Sequence, residues 1–171
     1  MSDGKVPEFS GKLTPEQQRA EYIKNDNGFH PREANKVLGA LGHSGFLGID
    51  YSDHGDDWVE LFMDWRSDLV ADADSGIFAS SAVITLIDNA TSLALWTKQG
   101  SFQPQVTMDL RLDYLRPSPK EARIYGRGTC YHITQNVGFV RGTAHNGDPD
   151  DPIAFASGTF MRLHNSGNTK T

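Results

Sequence analysis

Cysteine is almost missing: the chain has one, Cys130, among 171 residues. A single thiol makes no internal disulfide and no cysteine metal site, so a reducing, cytoplasmic setting is expected. Positive charge is also scarce. Sixteen Lys and Arg stand against 22 Asp and Glu, a net charge of −6. That balance argues against a nucleic-acid partner held through phosphates. Long apolar runs are lacking. The polar opening of the chain has no apolar segment, so no signal peptide is expected. The most apolar stretch, Gly76 to Thr97, holds too many Ser, Thr, Asp and Asn residues to span a membrane. The six histidines show no metal spacing, and neither a metal nor a cofactor is expected. His54, in an acidic turn, is expected to face solvent. No Gly-x-Ser-x-Gly segment supports a Ser-His-Asp triad.

What the chain does have is an unusual helix. Between Gly76 and Thr97 the only charge is Asp88. Ala82, Val83, Leu86, Ile87, Ala90, Leu93 and Ala94 recur at helical spacing. Ser81, Thr85, Asp88, Asn89 and Ser92 form a narrow polar stripe opposite them. The pattern predicts a helix of roughly 30 Å covered by protein nearly all round, with one carboxylate held in its middle. A buried carboxylate is costly unless it is paired or used. Asp88 is therefore the leading candidate for chemistry.

Around this helix the chain punctuates itself. Thr14 and Pro15 start a helix expected to reach Lys24. Pro31 opens another, ending around Gly42. Phe46 to Tyr51 and Trp58 to Trp65 read as a strand hairpin across the turn Asp53 to Asp57. After Gly100 the period becomes two. Val106, Met108, Leu110, Leu112 and Tyr114 alternate with Thr107, Asp109, Arg111 and Asp113, a half-buried strand closed by Pro117 and Pro119. Strict alternation puts Thr107 on the face opposite Met108. Ala122 to Ile133, Phe139 to Ala144 and Ile153 to Met161 are three further strands. One long helix against six mainly antiparallel strands requires a sheet curved around it, an α+β architecture with extra N-terminal helices. The division read is 1–45 for tail and helices, 46–163 for the main domain and 164–171 for a tail.

Several segments, in this order and spacing, resemble the hotdog-fold acyl-CoA thioesterases of the phenylacetate-degradation type. They are Gly76, the helix segment Leu86-Ile87-Asp88-Asn89-Ala90, the strand Val106 to Leu115 with Arg116-Pro117, and Ala156-Ser157-Gly158-Thr159-Phe160. The match covers roughly 46–163. Where that family carries His-Gly-Gly, this chain has Ala79-Ser80-Ser81, and Ala73 stands at the family's upstream Asn. The resemblance implies hydrolysis of an acyl-CoA to free acid and CoA. It also implies a homodimer or homotetramer, with each site shared between two subunits.

Thioester hydrolysis needs a donor for the carbonyl oxygen and a base or nucleophile. A helix start offers free amides, so the Ser80 amide is the candidate oxyanion donor, and Ser81 beside it is a candidate for substrate binding. Asp88 is the candidate base or nucleophile. The resemblance assigns Thr107 to positioning the water or the nucleophile. Arg116, Lys120 and Arg123, beside the proline-flanked turn, are candidates for the CoA phosphates. The missing His and Asn motivate an alternative, a non-catalytic hotdog protein that binds acyl-CoA or fatty acid.

Overall fold

The computed structural model describes residues 29–39 and 42–163, together with Thr14 and Gln17. Helix α1 spans Pro31–Gly39 and α2 spans Gly42–Leu47. A hairpin of β1 (Asp50–His54) and β2 (Trp58–Met63) leads to the long helix α3 (Ser80–Gln99). Four strands follow: β3 (Gln105–Tyr114), β4 (Ile124–Ile133), β5 (Val137–His145) and β6 (Ala154–Arg162). They form one six-stranded antiparallel sheet in the order β1-β2-β4-β5-β6-β3. The α+β reading of the sequence, a curved sheet against one long helix, holds.

The helix lies on one face of this sheet because both surfaces are apolar at their own period. Along β2, Val59, Leu61 and Met63 point inward and are fully buried. They meet Val83, Leu86, Ile87, Ala90 and Ala94 of α3, also buried. At Gly128 of β4 the helix comes so close that a Cβ would run into the backbone of Ala90 and Thr91. Glycine there lets helix and sheet meet without an intervening side chain. At the other end Gly100 takes a left-handed conformation, φ 68°, and its amide returns to the Thr97 carbonyl, a common way to end a helix.

The structure departs from the sequence reading in several places. Phe46 and Leu47 belong to α2, and the strand begins only at Asp50. A short apolar run bounded by glycines does not distinguish helix from strand. The helix expected to end around Gly42 is described as far as Gly39, and residues 40–41 lie outside the described residues. Thr14 and Gln17 exchange backbone-to-side-chain hydrogen bonds of 2.8 and 3.3 Å, the reciprocal pattern of a capped helix start. The rest of the helix expected there lies outside the described residues. His54 is not simply solvent-facing: its Nδ1 lies 2.6 Å from the Tyr51 hydroxyl. Finally, α3 is not covered all round by its own chain, since Ser80, Ser81 and Ile84 are exposed.

The strict alternation of β3 fails too. Thr107 pairs with Phe160, but the next pair is Asp109 with Thr159, so Met108 is an extra residue in a β-bulge. Phe160 faces the core. The bulge therefore puts Thr107 on the same face as Leu110 and Leu112, toward α3, and leaves Met108 54% exposed. Strand β3 is also an open edge of the sheet.

Candidate functional site

The polar stripe of α3 meets the inward face of β3. Asp88 is half-buried in the middle of the helix. The Thr107 hydroxyl, turned inward by the bulge, donates to Asp88 Oδ1 at 2.9 Å. No basic side chain is among the groups acting on this carboxylate. Burial pushes its pKa above the ordinary value, and the Thr107 bond offsets part of that rise. One oxygen of this carboxylate is occupied by Thr107, and the other has no hydrogen-bond donor among the described residues.

Gln105 is a residue the sequence reading missed. It lies two positions before Thr107 and donates through Nε2 to the Ser92 carbonyl and hydroxyl at 2.9 and 2.7 Å. Its buried Oε1 has no partner among the described residues. A single glutamine in an alternating strand carries no local signal. Only the register of β3 brings it to the stripe.

Ser80 is the first residue of α3, and the residue before it, Ala79, is extended with no side-chain cap. The leading amides of a helix have no acceptor one turn behind them. In α3 the turn bonds begin with Ala82 and Val83, whose amides donate to the Ala79 carbonyl at 3.0 and 3.3 Å. Ser80 lines a cavity of about 290 Å³ together with Phe78, Tyr114, Arg116, Ser118 and Ile153. The Tyr114 hydroxyl donates to the Ser80 carbonyl at 3.1 Å. The buried Ser118 hydroxyl accepts the Phe78 amide at 2.9 Å, which anchors the chain as it enters the helix. Ser81 is exposed beside this cavity.

Ser80 and Asp88 are not brought together within one chain. Eight residues of helix separate them by roughly 12 Å. That is too far for both to act on one carbonyl.

The three basic candidates are dispersed. Arg116 is held by Asp151 at 2.8 Å and by the Asn146 side chain at 2.7 Å, on the rim of the cavity at the helix start. Arg123 pairs with Asp64 at 2.7 Å and stacks on Phe62, its guanidinium carbon 3.9 Å from the ring centre. Lys120 is exposed, and its methylenes lie across Gly76, where a Cβ would stand 2.8 Å from Cγ. Of the acidic residues flanking Ala73, Asp72 is occupied by its own turn. It accepts from the Ser75 hydroxyl at 2.5 Å and from the Ser75 and Asp74 amides at 2.8 and 3.1 Å. Among the described residues no group of His, Cys, Asp and Glu is arranged to hold a metal, and no helix is long and apolar enough to cross a membrane.

An antiparallel sheet wrapped on a long central helix is the hotdog fold of thioester hydrolases. The thioesterase superfamily model matches residues 76–153. A protein of known structure from Pseudomonas aeruginosa is 32% identical, over 78% of this chain and 100% of its own, with a TM-score of 0.70. The chain belongs to the thioesterase superfamily. It is also similar in fold to a thioesterase from Haemophilus influenzae, at 19% identity over 80% of this chain and 92% of that one, TM-score 0.69. The E. coli PaaI protein from the phenylacetic acid degradation operon shares the fold at 16% identity, over 77% of this chain and 91% of that one, TM-score 0.66. No curated protein matches the sequence.

Proposed function

We propose that this chain hydrolyses an acyl-CoA thioester, with Asp88 as general base or nucleophile. The observation that carries the reading is the Asp88–Thr107 pair: a carboxylate on an uncharged helix stripe, raised in pKa by burial and oriented by one hydroxyl. Thr107 holds one oxygen and leaves the other for water or for the carbonyl carbon. The Ser80 amide, at the positive end of α3, receives the carbonyl oxygen as negative charge develops.

Donor and base come from different copies in this reading. Two features support a second copy. Strand β3 has an unpaired edge, and an exposed edge is a template for pairing. That edge and the neighbouring helix face also carry uncovered apolar side chains: Val106 at 47%, Met108 at 54%, Tyr114 at 46% and Ile84 at 38% exposure. Two copies joined edge to edge in two-fold symmetry bring the helix start of one toward the helix middle of the other. The assembly is then a homodimer or a pair of them. Arg116 lines the helix-start cavity, where CoA phosphates would be drawn.

Complementation tests this arrangement. Ser80→Pro deletes one N–H at a helix position where proline is tolerated, and the extended Ala79 before it is compatible with proline. Ser80→Pro and Asp88→Asn should each be inactive in thiol release from a panel of short, medium, long and aromatic acyl-CoAs. Mixed and allowed to exchange subunits, they should recover about a quarter of the wild-type rate, since half the dimers then hold one intact site. No recovery, with subunit exchange demonstrated, overturns the site shared between copies. Saturable acyl-CoA binding by wild type with no turnover of any substrate favours the binding-protein reading.

A further inference from the structure

The sheet face turned away from α3 carries a buried ionic network that the hydrolytic site does not use. Glu60 of β2 is 7% exposed although it points to the outer face. Its Oε1 accepts from the Ser52 hydroxyl at 3.0 Å. Its Oε2 accepts from Arg127 Nε and Nη2, both at 2.9 Å, and lies 3.2 Å from His145 Nε2. His145 is itself buried, stacked on Tyr125, and its Nδ1 accepts the Gly147 amide at 3.2 Å. With Nδ1 accepting, Nε2 carries the hydrogen and donates to Glu60. Trp58 covers the Arg127 guanidinium at 4.3 Å. Every tie acts on Arg127 from one side and fixes its orientation.

The other side of Arg127 opens on a groove of about 480 Å³. Arg127 pairs with Thr143 and Thr129 pairs with Arg141 across β4 and β5. On one sheet face these pairs make a square, with guanidinium groups on one diagonal and hydroxyls on the other. Phe155, opposite Thr143 on β6 and 49% exposed, walls the groove. Glu60 neutralises Arg127. Arg141 is exposed and makes no ion pair among the described residues. The groove therefore holds one surplus positive charge on a chain whose net charge is −6. Its volume falls in the range of small-molecule sites and far exceeds what a lone anion needs.

We propose that this groove binds a phosphate-bearing ligand of nucleotide size, with the phosphate between Arg127 and Arg141 and a planar ring against Phe155. Arginine suits the anion because its planar fork matches phosphate oxygens. The Glu60 network lowers the cost of binding by holding Arg127 in place beforehand. The site lies across the sheet from Asp88 and does not depend on the hydrolytic reading.

Calorimetric titration of the full chain with AMP, inorganic phosphate and adenosine tests the site. AMP should bind saturably, and more tightly than phosphate or adenosine. Arg141→Gln, a change at an exposed position, should weaken AMP on the order of tenfold or more and leave thiol release unchanged. Arg116→Gln, at the residue proposed to draw CoA phosphates, should bind AMP as wild type does, which separates this site from the hydrolytic one. Absence of saturable AMP binding overturns the proposal, as does binding indifferent to Arg141→Gln. Phosphate binding as tightly as AMP removes the ring from the assignment and overturns it. A lower sedimenting mass in Arg141→Gln, with no change in ligand binding, assigns the groove to contact between copies of the chain instead.

Discussion

Asp88→Asn should separate activity from stability. The amide is isosteric with the carboxylate, and its oxygen still accepts the 2.9 Å bond from Thr107. Geometry is preserved and only basicity is lost. Removal of a positioned base slows a reaction by about 10²–10⁴-fold, or about 3–5 kcal/mol of barrier. Stability should move the other way. Burial raises the folded-state pKa of Asp88 above its ordinary 3.8, so the folded chain holds this proton more tightly than the unfolded chain does. Unfolding free energy then falls as pH rises from about 4 through the raised pKa, because ionisation in place is disfavoured. The asparagine variant escapes that cost. It should melt higher than wild type near pH 7, with the gap closing as the pH falls toward 4. Paired measurements of thiol release and thermal unfolding between pH 4 and 8 check this. A variant with full activity refutes the role of Asp88. A variant destabilised at neutral pH refutes the claim that its charge is held at a cost.

Thr107→Val removes the one hydrogen bond that lowers the Asp88 pKa, so the acid limb of the activity profile should move to higher pH, and kcat should fall on the order of tenfold through lost orientation. Glu60→Ala strands the Arg127 charge and the His145 donor and should cost about 3 kcal/mol in urea unfolding. Burial alone would raise the Glu60 pKa, but the His145 bond, the Arg127 charge and the Ser52 hydroxyl hold it below the ordinary carboxylate value. Its stabilisation is thus present above about pH 4.5 and is lost as pH falls through the lowered pKa, so the difference between wild type and Glu60→Ala should narrow only in strong acid. Gly128→Ala drives a methyl into the α3 backbone and should destabilise by about 3 kcal/mol or more, or fail to fold, as read by circular dichroism.

The helix and its carboxylate were legible in the sequence because they are local. A 3.6-residue period with a single charge is visible in one window, and Ser80 to Gln99 realises it. The strands after Gly100 were legible for the same reason at period two. What escaped depends on residues far apart in the chain. The bulge is invisible because Met108 is apolar and keeps the written alternation intact, while the register against β6 breaks it. Gln105 reaches Ser92 only through that register. The Glu60, Arg127 and His145 network joins three strands and has no local spacing at all. The uncovered face of α3 was missed because an apolar or uncharged surface reads the same whether its own chain or a second copy covers it.

The bulge also changes what an alteration of chain length would do. Removing a residue from a strand ordinarily turns every side chain on one side of the cut to the opposite face. Met108 is the exception in β3, since it has no partner in β6. Its deletion would close the gap between Thr107 and Asp109 and leave the pairings of Gln105, Val106 and Thr107 with β6 as they are. An insertion or deletion elsewhere in the strand has no such shelter. Met108 thus marks the point where this strand can be shortened by one residue while Thr107 keeps facing Asp88.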